Sequence, residues 1–369
     1  MLFFVAAAAL AQTRVIISTD MSMGLVGGWR PTDDVDDGWA VAMALSDPQL
    51  DVRLVATVLG NSNVGPEHAA TLMLLDDVLD QHVDRARGAA VALDIVPTTL
   101  NGAELPKTCL NDATAAMQRV LSQGHATILA IGPLTDVACL ARNAPANLVA
   151  NIDRVVAIMG RAPGEAFTVG PHKAPVTDFN VTMDPTAVAF LLAKSEIPMT
   201  FLQFDLTKQV LVSRAFVESL KNGTARQKYF YNASIPFVDF WSSHLGEDGF
   251  HPWDSNAVYY ASHPSAFQCT MAGFALTPCA SAVQPDPYNR YGQCAGHSVN
   301  QSTTLDRESM QLWLGPDYAT RKVTTCTAYS DGGKEAFEQA AVAFITPRAA
   351  GAAGPRSSPA GTSAAPSPP

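Results

Sequence analysis

The sequence predicts an α/β fold: a single domain with an open, mostly parallel, Rossmann-like sheet and helices on both of its faces. Strand-like and helix-like patterns alternate through at least the first 220 residues, as they do in chains built from βαβ units. The strand-like runs are also continuously apolar, which is typical of strands covered by helices on both sides of a parallel sheet.

Five apolar runs predict the strands: 14–18 (RVIIS), 52–59 (VRLVATVL), 126–131 (ATILAI), 154–159 (RVVAIM) and 199–204 (MTFLQF). Four segments predict the helices that follow them: 36–47, 66–79, 134–143 and 184–195. Pro66 suits a first helical position, and Asp184 suits an N-cap. Residues from about 222 to 300 are richer in aromatic residues and proline, and we expect loops and helices there that cover the ligand crevice.

The two ends of the chain are predicted to lie outside the folded domain, which we expect to span residues 14–346. Residues 1–11 are apolar and end in Ala9-Leu10-Ala11, which favours a signal peptide within residues 1–13. A buried first strand or a mis-chosen start is the alternative. Residues 347–369 contain no Val, Ile, Leu or aromatic residue, so we expect a disordered tail that cannot bury enough apolar surface to fold.

Charge and cysteine content restrict the partners and the compartment. The 369 residues carry a formal net charge of −10, which argues against nucleic-acid polymers and anionic membranes and leaves small molecules as partners. After the N-terminus the sequence has no run of 18 apolar residues without a charge, so no membrane-spanning helix is predicted. The even set of six cysteines fits disulfides in an oxidising compartment, and also six ordinary thiols. We expect secretion or an endomembrane lumen, with the cytoplasm as the alternative.

Acidic residues cluster after the first predicted strand. Asp20 ends that strand, and a Gly-rich loop then leads to four carboxylates within five residues, Asp33, Asp34, Asp36 and Asp37. The last two open an apolar helix, whose positive dipole end offsets part of the repulsion between these charges. Such oxygen ligands favour a hard cation, Ca²⁺ or Mg²⁺. A solvated acidic loop that caps the helix is the alternative for this segment alone.

Further polar residues follow later predicted strands, where a ligand of such a sheet would bind. Asn61 lies in a GNSN turn, and Ile131 begins an IGPLTD turn. Asp178 and Asn180 stand two residues apart, so they would point to the same side of an extended chain and could grip a polyol. Asp254 precedes an apolar pattern and would by itself be interpreted as a helix N-cap.

Taken together, these segments resemble the nucleoside hydrolases, the ribohydrolases of the inosine-uridine-preferring type. The resemblance runs from about residue 14 to 265 and is densest in five places: IISTD with DVDDGWAVAMAL, LVATVLGNSN, LAIGPLTDVA, VVAIMG with TDFNVTMDP, and HPWDSNAV. Each motif is weak alone, but five in the family's order and approximate spacing form a specific pattern.

The resemblance implies roles for individual residues. In that family one calcium ion is held by three Asp side chains and a backbone carbonyl, which fall here on Asp20, Asp37, Asp254 and the carbonyl of Ile131. The first Asp of the family's pair, here Asp36, would be the base that takes a proton from the water held by the metal. Substrate-binding positions fall on Asn61, Asp178 and Asn180.

The sequence departs from the family's pattern at several of these positions. The linker from Met21 to Val35 is twelve residues longer than the family's. Asp33 and Asp34 are therefore alternative candidates for the roles of base and metal ligand that we give to Asp36 and Asp37. We prefer the latter pair because the apolar helix follows it directly. The first Asp of the family's D-x-D is Ser18 here.

Other departures concern the sugar and the leaving base. His172 stands about where the family has an Asn that touches the ribose, and Trp253 stands where many members have a His that acts as general acid. His251, three residues before Asp254, is the candidate for that role. Alternatively Trp253 or Trp241 stacks on the base and favours its departure.

The resemblance therefore implies a calcium-dependent hydrolase of ribonucleosides. Water attacks C1′ with inversion and releases the free base and ribose, because an anionic, oxygen-rich site stabilises the oxocarbenium-like transition state. The expected partner is a small nucleoside, and the chain could form a homodimer or homotetramer. The alternatives are hydrolysis of another N-riboside on the same fold and a silent ribose- or nucleoside-binding protein. A phosphatase is disfavoured, because Ser18-Thr19-Asp20 offers only one Asp.

Overall fold

The computed structural model describes residues 12–25, 34–93, 109–165, 167–176, 178–278 and 310–346. Within these residues the strands are β1 (Thr13–Thr19), β2 (Leu50–Thr57), β3 (Asp84–Arg87), β4 (Ala126–Ala130), β5 (Ile152–Ile158), β6 (Thr168–Val169), β7 (Ala174–Pro175), β8 (Met199–Leu202), β9 (Val212–Ser213), β10 (Gly249–Phe250), β11 (Phe267–Pro278), β12 (Met310–Gly315) and β13 (Val323–Tyr329). The helices are α1 (Asp36–Ser46), α2 (Val64–Met73), α3 (Asp112–Ser122), α4 (Thr135–Asn143), α5 (Ala146–Val149), α6 (Phe179–Met183), α7 (Pro185–Lys194), α8 (Phe204–Thr207), α9 (Arg214–Ser219), α10 (Ala225–Leu245), α11 (Ser255–Ser262) and α12 (Gly333–Ala343).

Nine of these strands form one sheet in the order β12-β11-β13-β8-β5-β4-β1-β2-β3. Neighbouring strands from β13 to β3 in this order run parallel, and β11 pairs antiparallel with β12 and β13. The chain moves from β1 outward to β2 and β3 and then returns to the other side of β1 with β4. The predicted mostly parallel, open sheet is confirmed, and it places a topological switch point between β1 and β4.

Helices cover both faces of this sheet because the strands bury side chains in both directions. In β1, Val15 and Ile17 belong to one apolar core and Ile16 belongs to the other, and all three are fully buried. Trp39 of α1 lies in the first core, and Val137 of α4 lies in the second. The continuous apolar runs in the sequence reflect this two-sided burial.

The predicted elements agree with the structure in most places. Asp184 caps α7, its side chain accepting from the backbone N–H of Ala187 at 2.9 Å. The expectation that Pro66 opens a helix is wrong, because α2 begins at Val64, and a π-helical turn at Leu74–Val78 continues it. The region predicted to hold loops and helices contains the 21-residue α10, and also the long strand β11.

Two disulfides connect distant parts of the chain. Cys109 pairs with Cys139 of α4, and Cys269 of β11 pairs with Cys326 of β13. Among the helices that the structure describes, none is long and apolar enough to cross a bilayer. Residues 1–11 of the predicted signal peptide, the predicted C-terminal tail, Asp33, Cys279 and Cys294 lie outside the described residues, whereas Thr13 already belongs to β1.

Candidate functional site

The candidate site lies at the carboxyl end of the sheet, at the switch point between β1 and β4. Asp20 directly follows β1, and Ile131 directly follows β4. The two strands are parallel neighbours, and the backbone N–H of Ile131 donates to the Ser18 carbonyl at 2.9 Å. Polar groups after both strands therefore meet in the crevice where open α/β sheets bind ligands.

Three buried carboxylates converge at this edge of the sheet. Asp36, Asp37 and Asp254 each offer an oxygen, and these atoms lie within 4.8 Å of one another. The first two open α1, and Asp254 stands at the N-cap position of α11, two helices that pack together. The Asp254 side chain makes no capping hydrogen bond. Tertiary packing thus directs it to the carboxylate group and not to its own helix.

Asp37 is oriented by one donor on β1 and one in the turn that follows β2. The hydroxyl of Thr19 donates to its Oδ1, and the side-chain amide of Asn61 donates to its Oδ2 at 3.2 Å. Both oxygens of this buried carboxylate thus have a neutral hydrogen-bond donor. Such partners fix the side chain in one orientation and favour its ionised form.

Asp36 has a different set of partners. Burial and the neighbouring Asp34 carboxyl raise the pKa of Asp36, and Asp36 Oδ2 lies 3.4 Å from the backbone N–H of Asp254. Asp34 is itself buried, and its Oδ1 accepts from the backbone N–H of Val35 at 2.9 Å. Asp34, the predicted rival, therefore lies beside Asp36 without belonging to the three converging oxygens.

Asp20 sits in a cradle of backbone. The N–H of Asn61 donates to its Oδ2 at 2.9 Å. A Cβ at Gly60 would lie 2.0 Å from Oδ2, and a Cβ at Gly132 would lie 2.7 Å from Oδ1. Only glycine at both positions lets the turns after β2 and β4 close around this carboxylate.

These carboxyls resist ionisation as a group. The pKa of each of four carboxyls is raised well above its usual range, mainly by burial and further by the charges of neighbouring carboxylates. These are Asp20, Asp36, Asp37 and Asp254. A cation offsets the cost of ionising them together. The donors are all oxygens, so the residues present fit a hard ion such as calcium.

The Ile131 carbonyl, the predicted backbone ligand, faces the segment after β7. The Asn180 side-chain amide donates to this carbonyl and to the Ile158 carbonyl, both at 3.2 Å. Asp178 is buried at the N-cap of α6, where it accepts from the N–H groups of Gly160 at 2.7 Å and Val181 at 3.4 Å. The expectation of an extended chain here is wrong, because Asp178 starts a helix and the two side chains have separate partners.

An aromatic group flanks the carboxylates. The half-buried Trp253 ring lies 5.3 Å from the Trp241 ring and 6.2 Å from the Phe204 ring, centroid to centroid. Its indole N–H is buried and has no hydrogen-bond partner among the described residues. A buried donor without a partner costs free energy unless a water molecule or a ligand satisfies it.

Neither of the two histidines singled out from the sequence belongs to the group of converging side chains. The Nδ1–H of buried His251 donates to the Val210 carbonyl at 2.7 Å, and its Nε2 lies 3.6 Å from Glu247 Oε1. His172 is exposed on the turn between β6 and β7 and lies against Gly246.

Two side chains at the site were not singled out from the sequence. Thr19 donates to Asp37; its position beside Asp20 was the only available signal. Glu67 is fully buried, accepts from the Ser62 N–H at 2.5 Å, and its charge contributes to the raised pKa of Asp20. A Glu in the first turn of a helix is usually exposed, so only the structure identifies this one.

The chain is similar to known proteins in both sequence and structure. The profile of the family described as inosine-uridine preferring nucleoside hydrolase matches residues 15–328. The non-specific ribonucleoside hydrolase RihC of Salmonella enteritidis PT4 is 28% identical over 305 residues, covering 77% of this chain and 94% of that protein.

Solved structures share the fold. The plant nucleoside hydrolase PpNRh1 superposes with a TM-score of 0.63 at 18% identity, covering 90% of this chain and 99% of its own. The purine-preferring ribonucleoside hydrolase from Gardnerella vaginalis gives 0.62 at 16% identity, with the same coverage.

Proposed function

Since this chain belongs to the inosine-uridine preferring nucleoside hydrolase family, whose members hydrolyse the N-glycosidic bond of ribonucleosides, we propose that it does so with calcium and with Asp36 as general base. The products are the free base and ribose. Asp20, Asp37, Asp254 and the Ile131 carbonyl are the proposed calcium ligands.

The convergence of Asp36, Asp37 and Asp254 carries this proposal. Their oxygens lie within 4.8 Å of one another, and all three side chains are at least nine-tenths buried. Buried carboxylates are rarely left so close without a cation or protons. Bound calcium would supply a positive centre that orients water and ribose hydroxyls and makes that water more acidic.

Asp36 is proposed as the base because its hydrogen-bond partners differ from those of Asp37. Both oxygens of Asp37 accept from neutral donors, which suits a fixed ligand. Asp36 instead lies beside the Asp34 carboxyl, and its Oδ2 is 3.4 Å from the backbone N–H of Asp254. A carboxylate that is not held by two neutral donors can take up a proton, which is what general-base catalysis requires.

The sugar and the base would contact different walls of the site. We assign Asn61, Asp178 and Asn180 to the ribose, with His172 as a further candidate at the rim. We assign the leaving base to Trp253, whose unpartnered indole N–H suits a hydrogen bond to a ring acceptor of the base. His251 remains the candidate proton donor: its Nδ1–H is bonded to the Val210 carbonyl, while its buried Nε2 has no hydrogen-bond partner among the described residues and lies 3.6 Å from Glu247 Oε1.

The test is release of free base from inosine, adenosine, uridine and cytidine by the purified protein, with and without a calcium chelator. We expect release that stops on chelation and returns with added Ca²⁺, and the four rates rank the bases. Restoration by Mg²⁺ but not by Ca²⁺ would contradict the choice of metal. No release by a folded protein that binds calcium would favour another N-riboside or a silent binding protein.

We also propose that the protein is exported. Both disulfides, Cys109–Cys139 and Cys269–Cys326, join cysteines far apart in the sequence, and such bonds persist mainly in oxidising compartments. Non-reducing peptide mapping of protein purified from its native source tests this proposal. Finding the four cysteines as free thiols would contradict it.

A further inference from the structure

A two-stranded hairpin at the carboxyl end of the sheet is tied to the end of the longest helix. The hairpin comprises β6, β7 and their turn, within residues 167–176. The backbone N–H of Gly170, at its tip, donates to Glu247 Oε1 at 2.7 Å. Glu247 stands two residues beyond the end of α10, and the same oxygen lies 3.6 Å from His251 Nε2. One carboxylate therefore joins the hairpin tip, the end of α10 and His251.

The packing at this junction leaves no room for a side chain at Gly170 or Gly246. A Cβ at Gly170 would lie 2.3 Å from the Leu245 carbonyl oxygen, and a Cβ at Gly246 would lie 2.9 Å from the His172 ring. Both glycines have a positive φ, +71° and +74°, which other residues rarely adopt. Backbone conformation and space both require glycine on each side of the contact.

The hairpin connects to both walls of the proposed substrate site. Phe167, at its start, stacks on Phe204 with centroids 4.2 Å apart, and Phe204 in turn faces Trp253. The segment that leaves the hairpin reaches Asp178 and Asn180, which cap and begin α6. A shift of the hairpin would move the aromatic wall and the ribose-binding segment together.

From these contacts we propose that Glu247 is a positioning residue, which latches the hairpin to the end of α10 and thereby sets the substrate-binding walls. The proposal rests on the proposed function for its kinetic consequences but not for the latch itself. Glu247 touches neither the converging oxygens nor the ligands proposed for calcium, but it lies 3.6 Å from His251 Nε2, so Gly170→Ala, which keeps this carboxylate, is the variant that isolates the latch. Its effect should therefore fall on substrate binding and leave metal binding unchanged.

Two variants break the latch from opposite sides. Glu247→Ala removes the acceptor, and Gly170→Ala forces the hairpin away while keeping the carboxylate. Gly164→Ala is the matched control for the second, since Gly164 also has a positive φ, +84°, but nothing lies within 4 Å of a Cβ there. Glu218→Ala, at a half-exposed ion pair with Lys221, is the control for the first. Glu247→Gln keeps an acceptor oxygen and should rescue most of the effect.

The readouts are hydrogen exchange of residues 167–176, nucleoside kinetics and calcium affinity. In Glu247→Ala and Gly170→Ala we expect exchange about tenfold faster, because the tip hydrogen bond is lost. In Gly170→Ala, which leaves the carboxylate beside His251 in place, we expect KM to rise by about tenfold while kcat changes by less than about threefold, as for loss of uniform substrate binding. Glu247→Ala should raise KM by a similar factor. Calcium affinity and the two controls should stay near the wild-type values.

Unchanged exchange in both latch variants would overturn the latch. Faster exchange with a wild-type KM would overturn the positioning role, as would an equal rise of KM in Gly164→Ala. If the wild type releases no base, the proposed function fails, and hydrogen exchange still decides whether the latch exists.

Discussion

Thr19 offers a sharp test of how the carboxylate group is organised. Its hydroxyl donates to Asp37, the residue whose other oxygen accepts from Asn61 at 3.2 Å. Thr19→Val removes that hydroxyl while nearly keeping the side-chain volume, and valine suits the strand. The perturbation therefore removes one hydrogen bond to a buried carboxylate and little else.

The size of the effect follows from the kind of bond that is lost. A hydrogen bond to a charged group contributes about 1.5 to 3 kcal/mol, and about 1.4 kcal/mol corresponds to a factor of ten in an equilibrium constant. With Asp37 as a calcium ligand, the affinity for calcium should fall roughly tenfold to a hundredfold, the range seen for loss of a group that orients a ligand. The pKa of Asp37, which the Thr19 hydroxyl now lowers, should rise further.

The assay is calorimetric titration with Ca²⁺ of the wild type, Thr19→Val and a control. Thr57→Val is that control, because Thr57 is the partner of Thr19 on β2 and is equally buried. Its hydroxyl contacts the Ala86 carbonyl and the His68 ring instead of the carboxylates. We expect Thr57→Val to lower the melting temperature without weakening calcium binding. Equal calcium affinity in Thr19→Val and the wild type would refute the role given to Asp37.

Two further predictions address the carboxylate group, and a third addresses Asp136, a buried residue of α4. Asp36→Asn should keep the fold and calcium binding but reduce base release by two or more orders of magnitude, roughly as for removal of a general base; turnover near the wild-type rate would contradict its assignment. Asp37→Ala should abolish calcium binding in a titration. Loss of binding in Asp34→Ala alone would show that the calcium ligand is Asp34, three residues earlier in the chain. Burial raises the pKa of Asp136 to about 6, so the folded protein binds a proton at this carboxyl more tightly than the unfolded chain does. The stability that this proton adds is lost as pH rises from about 4 to above 6. The urea-unfolding free energy of Asp136→Asn, relative to the wild type, should therefore rise by on the order of 3 kcal/mol from pH 4 to 7, and a flat difference would contradict the raised pKa.

The parallel part of the sheet was predictable because two-sided burial leaves a strong pattern. The runs that form β1, β4 and β8 are mostly apolar and mostly buried, and the apolar part of α1 directly follows two acidic residues. Strands outside the five predicted runs, such as β3 and β11, carry no such signal. The four residues of β3 include one buried side chain, Ala86, and β11 exposes Met271 by 57%. These strands are defined by their hydrogen-bonded neighbours, which lie elsewhere in the sequence.

At the site, the sequence indicates the chemistry: carboxylates follow a buried strand and start an apolar helix, in the order of a known hydrolase family. Which of these groups meet depends on the tertiary structure. Asp254 reaches Asp36 across 218 residues, and Asp37 takes one donor from β1 and one from the turn after β2. Local pattern encodes burial and helix position, but the partner of a buried charge is set by packing between distant elements, which no single segment of sequence contains.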